Sequence, residues 1–193
     1  MTAASLQAGY FDKLYADNPD PWRMETSPYE DAKYGATLAA LPSARYPHAI
    51  EIGCSVGTLT ARLAARCDDL LATDVAQAAL DRAAERCRGL PVRFERSTLP
   101  DIPPAGRFEL IVLSELLYYF DRAGVARLAE AVSGMAAPDA DILLVHWLGE
   151  TPDYPLTGEE AVAAFEGDGS WHIMQRTRTE DYRLDLLRVA RSG

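Results

Sequence analysis

The segment Ile50-Glu51-Ile52-Gly53-Cys54-Ser55-Val56-Gly57-Thr58 leaves this chain few folds to choose from. An apolar run at 49–52 stops at Gly53, the pattern of a short buried strand. Beyond Gly57, the residues Leu59, Leu63 and Cys67 recur at helical spacing, which predicts a helix over 57–67. A second apolar run at 70–73 follows, closed by Asp74. Strand, helix and strand in this order form a crossover unit, the building block of a parallel sheet.

The alternation continues along the chain. A helix is expected over 76–87, with Leu80, Ala83, Ala84 and Cys87 on one face, and a strand over 92–95. The run 110–113 is continuously apolar, as a strand covered on both sides should be. A helix over 123–136 turns Val125, Leu128, Val132 and Met135 inward, and a strand follows at 142–145. Thr157-Gly158-Glu159-Glu160 has the form of a capping box and opens a helix to Phe165. Two strands near 173–177 and 182–189, joined by a polar link, add an antiparallel edge.

The first 47 residues differ. They are rich in aromatics (Tyr10, Phe11, Tyr15, Trp22, Tyr29, Tyr34), and Asp17-Asn18-Pro19-Asp20-Pro21 is turn chemistry. A short helix is expected over 6–15. A second begins with Ser27 as N-cap, Pro28 in the first position and Glu30 completing a capping box, and stops at Pro42. We expect 1–47 to be a helical lid arm on a core formed by 48–193, one domain overall, as 193 residues suggest.

Composition narrows the partners. A content of 48% hydrophobic and 25% charged residues excludes wholesale disorder. No apolar run approaches the roughly 20 residues of a membrane span, and no basic-then-apolar leader opens the sequence. The net charge of −10 repels phosphates, so neither nucleic acid nor an anionic membrane is expected as partner. Cys54, Cys67 and Cys87 suggest no disulfide framework, which fits the cytoplasm, and the three widely separated histidines announce no metal site.

Chemistry concentrates around the first crossover unit. Gly53 permits a tight turn, and the helix start at Gly57 offers unpaired N–H groups that can hold a carboxylate, a ribose or a pyrophosphate. Asp74 lies 21 residues after Gly53, where an acid can accept bonds from the two ribose hydroxyls; it can equally cap the helix from Ala76. Nicotinamide dinucleotides and S-adenosylmethionine are both bound in this way. The pyrophosphate loop has glycines where this chain has Ser55 and Thr58, and Glu51 repels phosphate. Glu51 suits a sulfonium or ammonium group, or else serves as a structural acid bonded to backbone amides.

Glu51-x-Gly53-x-x-x-Gly57 followed by Asp74, with Phe108-Glu109-Leu110-Ile111-Val112-Leu113-Ser114-Glu115 beyond, resembles class I S-adenosylmethionine-dependent methyltransferases. More narrowly, Asp20-Pro21-Trp22, Ser27-Pro28-Tyr29-Glu30, Ala72-Thr73-Asp74-Val75, Ser114-Glu115-Leu116-Leu117-Tyr118-Tyr119, His146-Trp147 and the 152–158 loop are similar to the NodS-like family. The resemblance implies an α/β, Rossmann-like fold, with a mainly parallel seven-stranded sheet, one antiparallel C-terminal strand and helices on both faces. It implies S-adenosylmethionine as cofactor, held at its methionine part by Glu51, Gly53, Cys54, Ser55, Gly57 and Ser114. Asp74 should hold the ribose, Val75 should touch the adenine, and Ser97, Thr98 and Leu99 should bracket it. Trp22 and Tyr29 are the lid residues expected at the cofactor, although Trp22 can instead pack the arm. Ser55 replaces a usual glycine; it is small enough to fit, with a backbone expected to avoid strongly positive φ.

The small-molecule acceptor is implied to be an amino sugar, since the family's namesakes methylate the free amine of a deacetylated chitooligosaccharide. Methyl transfer from a sulfonium is an in-line displacement that demands positioning. Glu115 and His146 are the groups expected to take a proton, His146 being otherwise a hydrogen-bonded structural residue. Tyr118, Tyr119 and Trp147 should frame the acceptor, with one tyrosine inward and the other facing the cleft. Other readings are an O-methyltransferase, a non-catalytic cofactor-binding protein and an NAD-dependent oxidoreductase.

Overall fold

The helix that the spacing places over 57–67 is cut short, because Cys67 is needed elsewhere. In the computed structural model, which describes residues 4–167 and 171–189, Cys67 pairs with Tyr46 as the first residue of a strand. Its neighbour Arg66 anchors the turn, donating to the carbonyls of Ala44 and Leu38 at 2.9 Å each. Strand pairing and this anchor outweigh the local helical period.

The chain divides into two units, Gln7–Thr98 and the remainder. The first holds α1 (Ala8–Asp17), α2 (Pro28–Ala39), β1 (Tyr46–Ile52), α3 (Thr58–Leu63), β2 (Cys67–Asp74), α4 (Gln77–Arg86) and β3 (Val92–Arg96). Its strands run in the order β3-β2-β1, all parallel. Ala49, Ile50, Leu70, Leu71 and Ala72 are buried, as strands covered on both faces require. α1 lies on this unit through Tyr15, which is buried with Val56, Ala76 and Ala79, while Phe11 and Trp22 pack beside it. Cys54, Cys67 and Cys87 are free thiols, all buried here.

Only half of the expected box at α2 forms. The Ser27 hydroxyl accepts from the Glu30 amide at 3.4 Å. The Glu30 carboxylate turns instead to Lys33, whose ammonium lies 2.8 Å from Oε1 and 5.0 Å from the Tyr29 ring centroid. A buried cation needs a counter-charge more than a helix end needs a second cap.

The second unit holds β4 (Phe108–Ser114), a 3-10 turn at Leu117–Tyr119, α5 (Arg122–Met135), β5 (Ala136–Trp147), α6 (Gly158–Glu166), β6 (Trp171–Arg178) and β7 (Tyr182–Val189). The strand order is β4-β5-β7-β6, with β4 and β5 parallel and β7 antiparallel to both of its neighbours. β5 has 12 residues, far more than its apolar stretch suggests. Asp139, at φ 61°, marks an irregularity in its early part, and the β4–β5 register shifts between Phe108 and Leu110. The Thr157–Glu160 capping box forms in full. Among the described residues, no helix is long and apolar enough to cross a membrane.

Candidate functional site

The turn after β1 is a run of left-handed residues. Gly53, Ser55 and Gly57 have φ of 79°, 50° and 78°. Ser55 therefore adopts the conformation that it was expected to avoid. The loop needs that geometry, and a small polar side chain tolerates it better than a branched one. Gly57 has a second reason to be glycine. A Cβ there would lie 2.8 Å from Ala83 Cβ and 2.9 Å from Ala83 Cα, so α3 could not start so close to α4.

Hydrogen bonds lock this loop to the end of β2. The amides of Gly53 and Cys54 both donate to the Thr73 carbonyl, at 2.8 and 2.9 Å. Asp74 accepts from the Ser55 amide at Oδ2 and from the Ala76 amide at Oδ1, both at 2.9 Å. Asp74 thus joins the loop to the approach of α4, and it is more than a helix cap. Burial lifts its carboxyl above the usual range, opposed by the amides of Ala76, Ser55 and Val75.

Glu51 is the unusual group. Its side chain is buried, 2% of the residue being exposed, and Oε2 has no hydrogen-bond partner. Burial pushes its carboxyl up to about 8; the Thr60 hydroxyl opposes this and the Asp74 charge adds to it. Glu51 is therefore not the acid bonded to backbone amides that one reading allowed. An unsatisfied buried carboxyl with a second acid in range has the electrostatics to accept a cationic group. Around these acids, Cys54 is buried and Val75 is half-buried. The Ser97 amide donates to the Asp74 carbonyl at 3.1 Å. Thr98 is exposed and closes the first unit, whereas Leu99 begins the second. Trp22 meets Tyr15 edge-on at 5.8 Å, which is arm packing, and Tyr29 lies against the Lys33 ammonium.

The second unit has its own cluster at the ends of β4 and β5. Ser114 ends β4, half-buried. Glu115 follows in a strained backbone, φ 54°, its amide bonded to the Val145 carbonyl at 2.8 Å. Its Oε2 accepts from the Trp147 amide at 2.9 Å and from the Tyr118 hydroxyl at 2.7 Å. His146 is fully buried, and its Nε2 accepts from the amides of Leu117 at 3.1 Å and Leu116 at 3.4 Å. That nitrogen braces the 3-10 turn, the structural alternative for this residue. Tyr118 and Tyr119 are both buried, at 5% and 6% exposure, so neither is the open face expected of one of them. The reason is Tyr154, which stacks on Tyr118 at 5.4 Å and meets Tyr119 edge-on at 4.8 Å. The half-buried Trp147 ring fills the space where a Cβ on Gly149 would stand, 2.3 Å from its atoms.

Sequence reasoning missed Tyr15, Lys33 and Tyr154 as parts of these clusters. Tyr154 lies in the 152–158 loop that resembles the family, whereas nothing local marks Tyr15.

A glycine-turned βαβ unit with an acid ending its second strand, together with a unit closed by an antiparallel β7, defines the class I Rossmann-like methyltransferase fold. Solved structures agree. NodS N-methyltransferase from Bradyrhizobium japonicum WM9, in complex with S-adenosyl-L-homocysteine, superposes with a TM-score of 0.83 at 23% identity, over 95% of this chain and 98% of that one. A candidate methyltransferase from Pseudomonas syringae is 38% identical, with a TM-score of 0.73 over 83% of this chain and 99% of its own. The family model for nodulation protein S, NodS, matches residues 10–146, and the chain belongs to that family. Nodulation protein S of Rhizobium tropici is 32% identical over 119 residues, 61% of this chain and 49% of the relative. The alignments thus span about half to three-fifths of the curated relatives' length.

Proposed function

We propose that this chain is an S-adenosylmethionine-dependent methyltransferase that methylates a nitrogen of a small amino-sugar-like acceptor. The observation that carries the cofactor is the orphaned Oε2 of Glu51, buried without a partner where a cation would satisfy it. Family membership and the NodS neighbour solved with S-adenosyl-L-homocysteine support the same reading.

The bound cofactor would supply an electrophilic methyl group on a sulfonium. Glu51 would receive its positive methionine end, alongside the backbone of Gly53, Cys54, Ser55 and Gly57. Asp74 would accept from the ribose hydroxyls, since each carboxylate oxygen that takes one backbone amide has a second lone pair to offer. Val75, Ser97, Thr98 and Leu99 are assigned to the adenine, Ser114 to the methionine part, and Tyr29 with Trp22 to the arm 1–47, read as a lid.

An amine acceptor must lose a proton to expose its lone pair. Glu115 is assigned that proton, because its carboxylate is fixed by the Trp147 amide and the Tyr118 hydroxyl. His146 is given the bracing role, because its Nε2 is engaged by backbone amides in a fully buried setting. Trp147 would supply an apolar face of the kind that favours sugar rings and cations, while the buried Tyr118 and Tyr119 pack with Tyr154 behind Glu115.

Transfer of a labelled methyl group from S-adenosylmethionine to a panel of amino-sugar, simple amine and hydroxyl acceptors tests the reading. Label on the amino sugars is the expected result. Label confined to hydroxyl acceptors would replace N- by O-methylation. Absence of cofactor binding in calorimetry would remove the enzyme assignment.

A further inference from the structure

Ser55 carries a hydroxyl at a position where the left-handed backbone favours glycine, and that hydroxyl is engaged. Its Oγ lies 2.5 Å from the Tyr15 phenolic oxygen, in a buried hydrogen bond spanning 40 residues. The Ser55 amide, in turn, donates to Asp74 Oδ2 at 2.9 Å, and the other Asp74 oxygen holds the Ala76 amide. The Tyr15 ring is packed on Val56, Ala76 and Ala79, so it touches both ends of this chain of bonds. Trp22 closes over its edge at 5.8 Å.

We infer that Tyr15 is a positioning residue for cofactor binding, acting through Ser55 to hold the 53–57 loop in its binding conformation. The inference rests on the cofactor reading above. Ser55 at φ 50° is in a sparsely populated region for a residue with a side chain. Such a residue persists only while its surroundings over-determine it. Here the side chain bonds to Tyr15 and the amide to Asp74, with a weaker contact from the Cys54 thiol to the carbonyl at 3.7 Å. Without the phenol, the Ser55 hydroxyl is left buried and unsatisfied, which favours relaxation of the backbone to negative φ. That rotation carries the Ser55 amide away from Asp74 and changes the direction of the neighbouring loop amides. Apparent affinity then falls in proportion to the fraction of molecules that hold the competent loop. Burial, with the Asp74 charge adding to it, keeps the phenol protonated throughout the working pH range, so the bond does not titrate away.

The test is a double-mutant cycle read in affinity for S-adenosyl-L-homocysteine by calorimetry, with melting of the cofactor-free proteins as control for folding. Tyr15→Phe keeps the ring and its packing, and Ser55→Ala keeps the Cβ; each removes one hydroxyl. Each single variant should raise Kd about five- to tenfold, and the double variant no more than the weaker-binding single. A role confined to stability would lower melting temperatures with Kd unchanged. Kd within about twofold of wild type in both single variants, or effects that multiply in the double, would overturn the inference while wild-type binding upholds the cofactor reading. If wild type itself fails to bind, the cofactor reading falls first. Should Ser55→Ala not fold, Tyr15→Phe with Ser55→Gly completes the cycle, since glycine adopts the loop conformation without strain.

Discussion

Replacing Glu51 by glutamine should change how stability responds to pH, in a direction opposite to ordinary acid denaturation. The Glu51 carboxyl titrates near 8 in the folded protein instead of near its ordinary 4.5, chiefly because it is buried. Between those values the unfolded chain has released the proton and the folded chain keeps it. The folded state thus binds more protons, so stability must fall as pH rises through this window. The loss attributable to Glu51 across that window is on the order of a few kcal/mol. Urea unfolding of the cofactor-free wild type and Glu51→Gln, at several pH values across this range, reads the effect because groups not coupled to Glu51 cancel in the difference. The two stability curves should diverge by roughly that amount, wild type falling faster. A cationic ligand would pull the carboxyl back toward its ordinary range. S-adenosyl-L-homocysteine binding near neutral pH should therefore release close to one proton more in wild type than in Glu51→Gln, measured by calorimetry in buffers of different ionisation enthalpy. Parallel stability curves would refute the buried, proton-holding carboxyl. Equal proton release would refute its role as receptor for positive charge.

Asp74→Asn should weaken S-adenosyl-L-homocysteine binding by at least about tenfold in calorimetry, because it removes a charge-assisted acceptor and turns an amide donor toward Ser55 or Ala76. Gly57→Ala should cost about 2–4 kcal/mol in denaturant unfolding, since its Cβ would meet Ala83 and its φ of 78° disfavours any side chain. His146→Ala should lower stability by about 1–3 kcal/mol, because the Leu117 amide loses its buried acceptor, and should leave the shape of the pH–rate profile unchanged. Glu115→Gln should cut methyl transfer about 100-fold while the affinity for S-adenosyl-L-homocysteine stays within about twofold.

Legibility in the sequence followed the range of the interaction. The cores of β1, β2 and β4 and the start of α6 rest on local signals, such as apolar runs and a capping box, and they stand where those signals put them. Asp74 was legible because its distance from Gly53 is set by the length of a crossover unit. Cys67 was misplaced because its helical spacing from Leu63 is local, whereas its pairing with Tyr46 is not. The 3-10 turn at Leu117–Tyr119 had no local signature, since its amides are held by His146 from the following strand. The burial of both tyrosines depends on Tyr154, more than thirty residues later. The conformation of Ser55 is imposed by Asp74 and Tyr15, far away on either side. In each case the deciding partner was remote, and periodicity cannot see remote partners.

The three thiols have a practical consequence. Burial holds each above the ordinary thiol range, Cys67 at about 12 and Cys54 well above its usual value, so almost none is thiolate at neutral pH. An alkylating reagent should reach them only when the first unit opens. Because they sit on the glycine turn, at the head of β2 and at the end of α4, the rates at which they are modified form three built-in clocks. Comparing those rates with and without cofactor would time the opening of each element separately.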